Sequence, residues 1–246
     1  MLRQAVRAFY DRRRYGQFPP AFVPDQDGRP IHSWRVLILP FIEQQGLYQQ
    51  YEFAEPWDGP NNRRLLSQIP SLYRCPSDVR TGRGVSEWTS YVAVVDTRAA
   101  WPGPTSAKLS GFPAGAAMTI LVLEDQSQEI PWMEPRDLTL EQAVSVLSSQ
   151  DPQFAGVHRQ DDFFYEYSSV RQAAFADGSV RPLFDGLPRD LVTSLLKIDK
   201  SPDLSLVDWS TSPARNRRLK LFNCLLLATF VTLTLLPLPW VWIKPR

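Results

Sequence analysis

The side chains best suited to metal or nucleophilic chemistry are few and far apart in this chain: His32, Cys75, His158 and Cys224. A zinc site takes three or four ligands from His, Cys and carboxylates, usually closely spaced in pairs. No Cys-x-x-Cys or His-x-x-x-His occurs here. The scatter predicts histidines bonded to loop backbone and no metal. Cys75 with either histidine would form a nucleophile and base. Its neighbourhood, however, reads as a strand running into Pro76, without the helix N-terminus that lowers a thiol pKa, so a packed cysteine is expected. Asp161, Asp162, Glu166 and Asp177 offer oxygen ligands for calcium, but EF-hand spacing is absent and the expected reading is a solvated loop and a turn. No phosphate-binding glycine loop, Gly-x-Ser-x-Gly elbow or dinucleotide fingerprint appears. The expectation is therefore no catalytic residue, no metal and no cofactor. The alternative is a hydrolase or metal-dependent enzyme using His32, Cys75, His158 and Asp177. Phe163, Phe164, Tyr165 and Tyr167 form a near-continuous aromatic run that cannot all face inward, which predicts a patch for a partner.

The elements around these residues are short. The chain has 22 prolines and 12 glycines, a balance that favours loops over long helices. Residues 2–14 suit an amphipathic helix, with Leu2, Val6 and Phe9 on one face. Ser33 caps a helix over 33–39, Pro40 breaks it, and a second runs over 42–51. A further helix begins at Asn61 or Asn62 and ends at Gln68. Strands are predicted at 71–75, 89–95, 118–124, 172–176 and 179–184, and helices at 139–148, capped by Thr139, and at 188–198. Asp177-Gly178 reads as a hairpin turn. Helices followed by strands favour an α+β fold, with N-terminal helices on an antiparallel sheet.

The C-terminus differs from the rest. Leu221–Ile243 contains no charged residue, and about 20 apolar residues suffice to cross a bilayer as a helix. Trp240 and Trp242 sit where an interfacial belt belongs. The sequence thus predicts a domain over 1–198, a linker over 199–218, and a single-pass C-terminal transmembrane helix with a short tail over 219–246. Pro237 and Pro239 fall in its last turns, where a membrane helix tolerates them. The lipid bilayer is the expected partner. Basic residues precede the span (Arg215, Arg217, Arg218, Lys220) in greater number than they follow it (Lys244, Arg246), which puts the domain on the cytoplasmic side. The N-terminus has no apolar core of a signal peptide. With 27 basic and 26 acidic residues, the chain lacks the excess of a nucleic-acid binder. Cys75 and Cys224 lie in separate regions, so no disulfide is expected.

Several runs together resemble one family. They are Tyr15-Gly16-Gln17-Phe18-Pro19-Pro20, His32-Ser33-Trp34-Arg35-Val36-Leu37-Ile38-Leu39-Pro40, Tyr73-Arg74-Cys75-Pro76-Ser77-Asp78 and Thr89-Ser90-Tyr91. Trp132-Met133-Glu134-Pro135-Arg136-Asp137-Leu138 and Phe175-Ala176-Asp177-Gly178-Ser179-Val180 follow. In order and spacing they are similar to the bacterial prepilin-like proteins of domain-of-unknown-function family 1559. The resemblance implies a pseudopilin-like α+β domain and a non-enzymatic structural or interaction protein of the cell envelope, exported and in contact with another envelope protein. The family motif positions it marks include His32, Trp34, Cys75, Pro76, Asp78, His158, Asp177 and Gly178. Two departures stand out. The usual N-terminal spanning helix is not seen, with Leu2–Tyr10 resembling only its stub. The gap from His158 to Asp177 is also longer than the family's, through an insertion that holds Asp161–Tyr167.

Overall fold

The computed structural model describes residues 17–77, 87–108, 111–149, 151, 156, 158, 163–166, 170–200 and 218–235. The expected helix over 2–14, the motif residue Asp78, Tyr167 of the aromatic run and most of the 199–218 linker lie outside them. The chain forms two compact units, Met1–His158 with Val170–Asp208, and Arg159–Ser169 with Trp209–Arg246.

The first unit is α+β. Its main sheet has four antiparallel strands in the order β3-β5-β8-β9 (Tyr91–Val92, Ile120–Glu124, Val170–Phe175, Val180–Phe184). β5 is buried at every position, as its apolar run requires. Gly178, at φ 85°, closes the β8–β9 turn, and the Asp177 carboxylate accepts from the Ser179 N–H at 2.8 Å. A small hairpin, β1 (Phe22–Pro24) with β2 (Pro30–Ser33), turns at Gly28. Ser33 Oγ then accepts from the Arg35 N–H and starts α1 (Trp34–Leu37). Pro40 converts the next turn to a 3₁₀ helix over Leu39–Ile42, and α2 (Gln45–Gln50) follows. Apolar residues from these turns, including Trp34, Ile38, Leu39 and Leu47, share one core with Leu121, Val122 and Ala174 of the sheet.

Three sequence expectations are corrected. Residues 71–75 are not a strand: Ser71–Tyr73 is a 3₁₀ turn begun by Pro70, and the Tyr73 N–H bonds to the Pro70 carbonyl. The helix after Asn61 is a 3₁₀ helix over Asn62–Gln68 without a side-chain cap. The Asn62 side chain instead joins the backbone of Glu52, Glu55 and Pro56. The single strand over 89–95 divides, because β4 (Val94–Val95) pairs in parallel with β6 (Leu138–Thr139) and leaves the antiparallel sheet. At the break, the Ala93 N–H bonds to the Asp137 carboxylate at 2.7 Å. After β6 comes α3 (Leu140–Ser148), opened by a full capping box between Thr139 and Gln142. It packs against α4 (Arg189–Leu196), which also touches β5.

A buried ion pair ties these parts together. Arg35 is fully buried, and its guanidinium meets Asp137 at 2.5 Å while donating to the carbonyls of Tyr91 and Glu134. The Trp34 indole N–H donates to the other Asp137 oxygen at 3.1 Å. Burial pushes the Asp137 carboxyl up, and Arg35, the Ala93 N–H and Trp34 pull the opposite way.

In the second unit, β7 (Tyr165–Glu166) pairs antiparallel with β10 (Arg218–Leu219), and α5 (Leu221–Leu235) follows. The Lys220 N–H bonds to the Phe164 carbonyl and the Asn223 amide to the Phe163 carbonyl, each at 2.8 Å. Among the described residues no helix is long and apolar enough to cross a membrane. Residues 236–246, including the rest of the expected span, lie outside them.

Candidate functional site

Cys75, Glu124 and His158 converge, with one ligand-type atom from each lying within 4.8 Å of the others. Each arrives on a different element. Cys75 follows the Ser71–Tyr73 turn, and its N–H bonds to Ser90 Oγ at 2.8 Å. Pro76 and Ser77 turn the chain away immediately after it. Glu124 ends β5 and is fully buried. His158 is bridged to the start of β8 by two backbone bonds with Val170. That approach needs Gly156, where a Cβ would stand 2.3 Å from the Val170 carbonyl oxygen.

His158 Nε2 lies 3.5 Å from Cys75 Sγ and 3.1 Å from the Glu124 carboxylate. On the far side of the ring, Nδ1 faces Ser77 Oγ at 3.3 Å. The carboxylate also accepts from the Gln172 N–H at 2.8 Å and the Gln126 amide at 3.2 Å. Beneath it, buried Arg171 donates to the Glu124 main-chain carbonyl and to Asp185, and approaches Asp125 at 3.6 Å. Asp185 in turn holds the Gly156 N–H at 2.8 Å. One buried charge network therefore supports both the strand that carries Glu124 and the loop that carries His158.

Burial pushes the Cys75 thiol up to about 11, and the Glu124 carboxylate adds to the rise by hydrogen bond and by charge. A thiol held neutral in this way is a poor nucleophile at physiological pH. Thiol, imidazole and carboxylate are nevertheless the donor types that hold a zinc-class cation.

The expected scatter of His32, Cys75 and His158 is thus corrected for the last two. Packing of the 71–77 turn and of Gly156 and His158 at one end of the central strands β5 and β8 brings them together across 83 positions of sequence. His32 has separate partners: its Nδ1 meets the Tyr51 hydroxyl at 2.9 Å, and its ring packs edge-on against Phe53. Burial lowers its pKa. Asp177 serves the hairpin, bonded to Ser179 and 3.8 Å from Arg181. Trp34 is a core residue, 5.1 Å from Trp101 between ring centroids. Phe163 and Phe164 are exposed and meet edge to face at 5.2 Å, while Tyr165 lies in β7. Glu124 escaped the sequence reading. Its signal was a lone carboxylate closing the apolar run Ile120–Leu123, where burial demands a partner.

No curated protein and no solved structure matches this chain. A family model described as "Protein of unknown function (DUF1559)" matches residues 9–119. The matched segment contains Cys75 and the Arg35 motif, and it ends before Glu124, Asp137, His158 and the Asp177-Gly178 hairpin. Residues 9–119 thus match the model of the DUF1559 family, the one that the chain's motifs resemble.

Proposed function

We propose that this chain is a membrane-tethered, non-enzymatic structural or interaction protein of the cell envelope, with a pseudopilin-like α+β domain and a single-pass C-terminal anchor. The observation that carries this reading is the character of α5. Its exposed residues include Leu225, Leu226 and Leu227 in succession, with Phe222, Phe230, Val231 and Leu233, so no polar face is available for water. Its three threonines satisfy their own hydroxyls within the helix: Thr229 on Leu225 and Leu226, Thr232 on Ala228, Thr234 on Phe230 and Val231. Hydrocarbon supplies no hydrogen bonds, and this is how a spanning helix carries hydroxyls. The 15 residues of α5 reach about 22 Å at about 1.5 Å per residue, and the apolar sequence continues to Ile243, which extends the reach past ~30 Å. The exposed Phe163–Phe164 pair, stitched to Lys220 and Asn223, supports a contact at the entrance to that helix, with lipid headgroups or with another envelope protein.

A second reading, a hydrolase or metal-dependent enzyme, draws support from the Cys75–His158 contact. It loses His32 and Asp177, which have partners elsewhere, and the raised thiol pKa weighs against a cysteine nucleophile. The test is vesicle flotation of the full chain and of a chain lacking residues 219–246. The full chain is expected to float and the shortened one to stay in the dense fraction. Flotation of both would refute the anchor. Protease protection in intact cells then decides between the cytoplasmic side favoured by charge and the exported side implied by the family.

A further inference from the structure

We propose that Cys75, Glu124 and His158 form a binding site for a zinc-class divalent cation, with solvent completing the coordination. The distances fit. Zinc bonds of about 2.3 Å to sulfur and 2.0–2.2 Å to nitrogen and oxygen, arranged tetrahedrally, put neighbouring donors about 3.3–3.6 Å apart. The observed separations are 3.5 Å from Sγ to Nε2 and 3.1 Å from Nε2 to the carboxylate. The Cys75 sulfur and the Glu124 oxygen lie within 4.8 Å of each other, a spacing that side-chain rotation can adjust around a bound ion.

The chemistry fits as well. A thiolate with an imidazole selects zinc or cobalt over the hard cations magnesium and calcium, which prefer oxygen alone. Around the donors stands the outer support that such sites use. Ser77 faces His158 Nδ1, so Nε2 can be the metal-binding nitrogen. The Gln172 N–H and the Gln126 amide fix the carboxylate, and Ser90 fixes the Cys75 backbone. The charges balance on binding. Glu124 is fully buried and Cys75 nearly so, and a cation of two charges would neutralise the carboxylate together with the thiolate that forms as the metal binds. The nearby guanidinium of Arg171 is engaged by Asp185, Asp125 and the Glu124 carbonyl. The His158 side chain is about one-third exposed, at 32%, which gives the cation an entry and leaves a coordination position towards solvent. Binding involves no redox change: the Cys75 proton leaves to solvent as the metal–sulfur bond forms.

The proposal does not depend on the membrane reading. Its test is a cobalt titration of the full-length protein in detergent, after EDTA treatment and removal of the chelator. About one cobalt per chain is expected, with a sulfur-to-cobalt charge-transfer band and the visible bands of a tetrahedral ion. Cys224→Ser and His32→Gln should keep both signals, while Cys75→Ser should lose the charge-transfer band. Ser77→Ala, which removes no donor but takes away the hydroxyl that supports both the Cys75 thiol and His158 Nδ1, should retain the fold by circular dichroism and weaken cobalt binding about 10-fold or more. That variant keeps the test decisive if Cys75→Ser fails to fold. Absence of stoichiometric cobalt in the wild-type protein, or a charge-transfer band that survives Cys75→Ser and vanishes in Cys224→Ser, would overturn the site and leave a hydrogen-bonded triad.

Discussion

Asp137→Asn is the perturbation that most sharply probes how this fold is held. Arg35 has no exposed side-chain surface and Asp137 has 2%. The carboxylate receives three donors, from Arg35, the Ala93 N–H and the Trp34 indole. Asparagine preserves the shape but removes the charge, and its NH₂ group must face at least one of those donors. Leaving a buried charge without its partner costs about 3–5 kcal/mol. For a chain of this size that is roughly 6–20 °C in Tm, at about 2–4 °C per kcal/mol. The assay is tryptophan fluorescence during thermal and urea unfolding of the full chain in detergent, since Trp34 and Trp101 report on this region. Arg35→Met with Asp137→Leu should recover part of the loss. Recovery stays incomplete because the Ala93 N–H, which donates to Asp137 at 2.7 Å, then loses that acceptor. A loss below about 1 kcal/mol for Asp137→Asn would refute the reasoning. It would mean that burial outweighs the three donors and keeps the Asp137 carboxyl neutral in the fold.

Two further outcomes follow from the same geometry. Gly156→Ala places a methyl group 2.3 Å from the Val170 carbonyl oxygen and 2.6 Å from its carbon, and neither backbone atom can yield cheaply. A cost of about 1–3 kcal/mol is expected, with faster hydrogen exchange at the Val170 amide, which donates to His158; unchanged exchange there would contradict the bridge as the cause. His32 has a pKa lowered by burial from 6.5, so the unfolded chain binds the proton more tightly. Its contribution to stability is present above about pH 6.5 and is lost as pH falls below that value. His32→Gln should flatten the acid side of the stability profile, and an unchanged slope would remove His32 from the account.

Local chemistry was legible in the sequence where it depends on neighbouring residues. Ser33 and Thr139 cap helices because a hydroxyl at that position answers free backbone N–H groups two or three residues on. Asp177-Gly178 turns a hairpin because glycine accepts φ 85°. Residues 71–75 misled because Leu72, Tyr73 and Cys75 look like strand residues, while Pro70 and Pro76 confine them to a turn. The site itself was half legible. Cys75 and His158 stood out by residue type, but their meeting depends on two distant segments folding against one end of the central strands β5 and β8. Glu124 was hidden inside a predicted strand. Arg35 and Asp137 each lie in a recognised motif, yet only the fold brings them to 2.5 Å.

The claim that α5 belongs to a membrane anchor is tested most directly by its depth in a bilayer. A fluorophore at Thr232→Cys, in a Cys224→Ser background, sits near the middle of Leu221–Ile243, and Cys75, 1% exposed, should resist labelling in the folded protein. In vesicles, the account predicts quenching by lipids brominated deep in their acyl chains and protection from aqueous iodide. Quenching by iodide without quenching by the brominated lipids would contradict it.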